Sequence, residues 1–181
     1  MRCFISVDLD RKLANKVSEI QKEIERLNVD VKFVESSNLH FTIKFLGDVK
    51  CEEVKRIGEL IKKSIEGKDT FKIHVKGMGF FGNPNYIRAI WLGIGEGRDE
   101  FVSLMKSVNE NVKIGDAKLT PHMTIGRVRS GKNREILLNF IEKMKDADIG
   151  EMYVKEVKLK SSALTKNGPV YEDLAVFKLR L

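Results

Sequence analysis

The chain is poor in cysteine, proline and glutamine: 181 residues include Cys3 and Cys51, three prolines, and Gln21 as the single glutamine. The two cysteines belong to no CxxC or Cys/His spacing, which argues against a zinc ribbon, a disulfide scaffold or a dithiol redox centre. A long apolar run is also missing. Met1 to Leu9 alternates polar and apolar residues, so it reads as neither a signal peptide nor a membrane span. No stretch is rich enough in Pro, Gly or Ser to separate independent domains. These absences lead to the expectation of a soluble, cytoplasmic, monomeric protein with reduced thiols. At this length residues 1–181 fit one domain, or two small lobes sharing a cleft.

What is present is charge. Lys and Arg number 33 against 26 Asp and Glu, a formal charge of +7 that favours encounter with a polyanion such as nucleic acid. Charge of this size is also common on solvated surfaces, so motifs must decide between the two.

Periodicity gives a mixed pattern of strands and helices. Cys3, Ile5, Val7 and Leu9 predict a strand over Met1 to Leu9, and Asp10 can cap a helix over Arg11 to Leu27. Strands are predicted at Val31 to Val34 and Leu39 to Leu46, then a helix marked by Val54, Ile57, Ile61 and Ile65 that ends near Gly67. Phe71, Ile73 and Val75 alternate as a strand. Gly77 to Asn85, with Gly79, Gly82 and Pro84, reads as a loop. Beyond it, Tyr86 to Ile94 is a strand, Phe101 to Val108 a helix, and Leu119 to Val128 a strand interrupted by Pro121. A helix over Arg134 to Lys145 precedes two strands, Met152 to Ser162 and Val170 to Leu181, joined around Lys166, Asn167 and Gly168.

One internal echo stands out: Asn38-Leu39-His40-Phe41-Thr42-Ile43 resembles Thr120-Pro121-His122-Met123-Thr124-Ile125. Alternation along a strand puts His40 and Thr42 on one face and Phe41 and Ile43 on the other. His122 and Thr124 separate from Met123 and Ile125 in the same way. Each strand can bury its apolar pair and hold an imidazole and a hydroxyl towards a cleft, the two groups a phosphate site needs. The third histidine, His74, alternates with Lys72 and Lys76, has no threonine two places on, and reads as surface. With five threonines in the chain, chance would put one two residues after two of three histidines in roughly one of several hundred such sequences.

Two imidazoles across a cleft suit in-line displacement at phosphorus, one neutral ring taking a proton and one charged ring giving one. No Asp, Glu or Cys lies at a spacing that would complete a metal site with either motif, so neither metal nor cofactor is expected. Nor is there a nucleotide-binding glycine loop.

The same residues resemble the two-histidine phosphoesterase superfamily, and within it the RNA 2',3'-cyclic phosphodiesterase family, also called 2'-5' RNA ligase. The resemblance runs from Met1-Arg2-Cys3-Phe4-Ile5-Ser6-Val7-Asp8, like the family's opening strand, through Asn38 to Gly47, like its first motif. It continues in Arg88-Ala89-Ile90-Trp91-Leu92-Gly93 and in Pro121 to Arg127, like its middle strand and second motif. It implies a bilobal α/β (α+β) fold, two lobes of antiparallel sheet with outer helices around a central cleft. It also implies hydrolysis of a terminal 2',3'-cyclic phosphate of RNA to a 2'-phosphate, and reversible ATP-independent 2'-5' joining. The implied partner is RNA with such ends, tRNA fragments being one candidate.

Carried over by position, His40 and His122 are the catalytic acid–base pair, and Thr42, Thr124 and Arg127 bind phosphate. Strand parity puts Arg127 on the face opposite His122, so a bulge or strand end must bring it to the cleft. Phe45 either stacks a terminal base or sits in the core. Two other functions stay open: a non-catalytic RNA-binding protein that uses the cleft as a basic clamp, and a phosphodiesterase for small cyclic nucleotides.

Overall fold

Apolar alternation in the first nine residues produces a strand, and its place in the fold decides that both its faces are covered. The computed structural model describes all 181 residues. Strand β1 (Arg2–Asp8) lies between β3 (His40–Asp48) and β8 (Glu156–Thr165), with β9 (Gly168–Lys178) beyond, in an antiparallel four-stranded sheet ordered β3-β1-β8-β9. Cys3 to Val7 are buried without interruption. Cys3, Ile5 and Val7 join the core, whereas Phe4, on the opposite face, lines the cleft.

The second sheet has five strands, β2 (Val31–Phe33), β6 (Met123–Val128), β5 (Tyr86–Ile94), β4 (Phe71–Asn83) and β7 (Asp148–Val154), in the order β2-β6-β5-β4-β7. Helix α1 (Arg11–Glu25) packs on β6 and β7, and α4 (Arg134–Lys143) on β4. Helices α2 (Val54–Ile65) and α3 (Arg98–Asn111) pack on each other and behind β9 and β3. Each sheet thus turns one face to helices and leaves the other for the cleft. Because the chain passes repeatedly between the lobes, one contiguous core of 39 buried residues runs behind both.

Local chemistry accounts for most boundaries. Asp10 caps α1 by accepting from the Lys12 amide at 2.7 Å, and Gly67, at φ 72°, follows the end of α2. Three expectations need correction. Gly77 to Asn85 is not a loop: β4 runs unbroken to Asn83 and turns at Pro84 and Asn85. Its glycines serve the strand. Gly77, at φ 83°, lies in a bulge between Val75 and Met78, and a side chain on Gly79 would start 2.3 Å from the Trp91 ring. The strand expected over Met152 to Ser162 is two strands, β7 and β8, which part at Lys155 and enter different sheets. Finally, Pro121 keeps residues 119–122 out of the ladder, so His122 stands immediately before β6. No helix is long and apolar enough to cross a membrane.

Candidate active site

The two sheets enclose a cavity of about 610 Å³, and His40, Thr42, His122 and Thr124 all line it. The echo seen in the sequence is also an echo in geometry. His40 Nδ1 donates to the carbonyl of Asn38 at 2.6 Å, and His122 Nδ1 donates to the carbonyl of Thr120 at 2.9 Å. In each motif the carbonyl two residues back therefore fixes the ring and its tautomer, leaving Nε2 for the cleft. Thr42 Oγ1 lies 3.0 Å from His40 Nε2, so its hydroxyl donates to the neutral ring. Aromatic edges hold the rings further. Phe81 meets His122 edge-on with centroids 4.7 Å apart, and Tyr171 meets His40 edge-on at 5.5 Å.

Electrostatics act on His40 from several sides. Burial pushes the His40 imidazole below its ordinary pKa. Its bond to the Asn38 carbonyl and the carboxylate of Asp8 oppose that, while the charges of Lys160 and His122 add to it. Asp8 is the cross-strand neighbour of His40. It belongs to a cluster in which the Lys160 ammonium lies 2.9 Å from Asp8 and 3.1 Å from Asp173, and Lys158 reaches the same two carboxylates at 2.9 and 2.8 Å. Burial raises the pKa of Tyr171, and the nearby charge of Arg127 pulls it the other way.

Both motif strands carry an extra residue directly after the threonine. In β1–β3 the register steps from Ser6↔Thr42 to Ile5↔Lys44, skipping Ile43. In β5–β6 it steps from Trp91↔Thr124 to Ile90↔Gly126, skipping Ile125. Ile43 and Lys44, like Ile125 and Gly126, are then both buried, and the residue three beyond each threonine returns to the cleft. Those residues are Phe45 and Arg127, and both line the cavity. Phe45 is 51 % exposed and its ring is 6.4 Å from Phe4, so it is not a core aromatic. Arg127 is brought round by the bulge that its expected place required.

Two cleft residues were invisible in the sequence. Tyr171 arrives from the last hairpin and Lys32 from the short β2. Neither carries a motif. Only their placement on strands that happen to face the cleft reveals them. His74 lies elsewhere, on β4, half-buried and hydrogen-bonded to Asp148, with Glu151 3.8 Å away. No three His, Cys, Asp or Glu side chains converge closely enough to hold a metal ion.

A two-lobed α/β fold with twin His–Thr units facing one cavity defines a phosphoesterase architecture of the two-histidine kind, and comparison with known proteins makes the assignment specific. Residues 7–91 match the family model for LigT-like phosphoesterases, a stretch that contains His40 but ends before His122. An RNA 2',3'-cyclic phosphodiesterase of Methanothermobacter thermautotrophicus is 42 % identical over 99 % of both chains. One of Methanocaldococcus jannaschii is 39 % identical over 95 % of this chain and 97 % of its own. A crystal structure from Thermus thermophilus superposes with a TM-score of 0.82 at 25 % identity, covering 99 % of this chain and 98 % of that one. The chain belongs to the LigT-like phosphoesterase family.

Proposed function

We propose that this protein opens terminal 2',3'-cyclic phosphates of RNA to 2'-phosphates, within one bilobal domain and without a metal. The observation that carries the reading is the pair of His–Thr units, each with its Nδ1 tied to the carbonyl two residues back, facing the same cavity. The relatives of 42 and 39 % identity, both RNA 2',3'-cyclic phosphodiesterases, support the substrate class.

The lowered pKa of His40 suggests the roles. His40, held below the usual imidazole range, is neutral near pH 7 and takes the proton of the attacking water. The new bond joins water oxygen to phosphorus, and the bond from phosphorus to the 3' oxygen breaks. The leaving oxygen receives its proton from His122 in its imidazolium form. Thr42 and Thr124 donate to the nonbridging oxygens. On binding, phosphate draws the Thr42 hydroxyl away from His40 Nε2 and frees that nitrogen to act as base. Arg127 balances the charge that develops, and Phe45 offers a face to the terminal base. With an RNA 5'-hydroxyl in place of water as the nucleophile, the same step in the same direction forms a 2'-5' linkage without ATP, the 3' oxygen again leaving and taking its proton from His122.

The reading is tested by incubating the protein, in excess chelator, with an oligonucleotide ending in a 2',3'-cyclic phosphate and mapping the new end. A 2'-phosphate supports it. A 3'-phosphate, strict dependence on added metal, or tight binding with no turnover contradicts it, the last pointing to a clamp whose affinity falls steeply with salt.

A further inference from the structure

Cross-strand register places Lys32 of β2 directly opposite Arg127 of β6. Val31 and Phe33 point to the core, where they crowd the bare Cα of Gly126: a side chain there would start 2.7 Å from Val31 and 3.3 Å from Phe33. Lys32 therefore points the other way, into the cleft, which it lines together with Arg127. Its ammonium reaches towards the hairpin tip of the opposite sheet, 3.6 Å from where a side chain on Gly168 would begin.

Two like charges facing each other across a ladder destabilise it unless something neutralises them. Nothing in the protein does. Neither Lys32 nor Arg127 takes part in any of the ion pairs, although Asp30 nearby pairs with Arg129 and Glu35 also lines the cleft. Yet the pair stands one bulge away from Thr124, in the same cavity. An unneutralised pair of cations beside one phosphate site is suited to a second phosphate.

We propose that Lys32 binds the phosphodiester joining the terminal nucleotide of the substrate to the nucleotide before it. This rests on the function proposed above and refines it: the preferred substrate is an oligonucleotide end, and a cyclic mononucleotide leaves the Lys32 contact unused. Lys32 and Arg127 divide the work. Arg127 acts on every substrate, Lys32 only on those with an internucleotide phosphate.

Binding of product-like ligands tests this independently of turnover. The probes are a dinucleotide ending in a 2'-phosphate and the corresponding nucleoside 2'-phosphate. Lys32→Gln should weaken the dinucleotide about tenfold, the scale of one charge-assisted hydrogen bond, and leave the mononucleotide within about twofold. The salt slope for the dinucleotide should fall by about one. The free variant should also be no less stable than wild type, since a like-charge opposition has been removed. Equal weakening of both ligands, or of neither, overturns the inference. Failure of the wild-type protein to open a cyclic end would instead overturn the proposed function while leaving the binding comparison readable.

Discussion

The side-chain amide of Gln21, in the middle of α1, donates to the carbonyl of Ile125 at 2.9 Å and to that of Val34 at 2.9 Å. Ile125 is the extra residue in β6, so the chain's single glutamine fastens the bulge that turns Arg127 into the cleft. The Val34 amide donates to the same carbonyl at 3.0 Å, which ties the end of β2 to the bulge as well. A buried helix side chain is thereby linked to the aim of a cleft residue that it does not touch.

Replacing Gln21 by Leu should show both consequences. The Val34 carbonyl loses this donor and the bulge loses its side-chain tie, so stability should fall by about 1–3 kcal/mol. Denaturant titration measures that. Turnover should fall with it in the manner of an Arg127 variant, and the loss should not add to that of Arg127→Gln in the double variant. Full additivity would show that Gln21 acts on stability alone.

Phe45→Ala should cost little stability, because half of the side chain is already exposed. Affinity for a cyclic-phosphate end should fall by about 1–3 kcal/mol if the ring stacks a base. The loss should appear in KM with kcat little changed. Steady-state kinetics on an oligonucleotide and on an abasic end with the same cyclic phosphate separate stacking from a general packing role, since the abasic substrate should not notice the change.

The lowered pKa of His40 has a sign that can be followed in two measurements. Below about pH 6.5, the ordinary imidazole value, the unfolded chain binds a proton at this position that the folded protein resists. The stability owed to His40 is therefore whole above that value and declines as pH falls from it towards the folded pKa. His40→Ala should flatten this part of the stability profile. In the pH dependence of kcat/KM, the acidic limb should lie below the usual histidine range. Lys160→Met removes a cation that holds His40 down, so it should shift that limb to higher pH.

How far these features could be read from the chain depends on what a repeat of two can encode. The spacing of His40 with Thr42 and of His122 with Thr124 is a strand parity signal, and the structure keeps it because no bulge separates the members of either pair. The next step fails for the same reason that the first succeeds. An inserted residue leaves no mark on composition, so alternation alone assigns Phe45 to the face of Phe41 and Ile43, while the bulge at Ile43 reverses it. Gly77, Gly79 and Gly82 misled in a related way. Glycine signals conformational freedom or close approach without saying which, and here they serve a bulge, the Trp91 ring and a tight hairpin end. Lys32, Tyr171 and Gln21 were illegible because their roles come from partners 95, 131 and 104 residues away in sequence, on Arg127, His40 and Ile125.

The measurement that bears most directly on the central claim is a double-mutant cycle on the two imidazoles. Opening of a 2',3'-cyclic phosphate end by wild type, His40→Ala, His122→Ala and the double variant would be compared under excess chelator, with thermal melts to show that each variant is folded. If both rings act on one phosphorus atom, each single change should cost at least about a hundredfold in kcat, and the double variant should be scarcely worse than either. A single variant that keeps wild-type turnover, or losses that multiply fully in the double variant, would contradict the account.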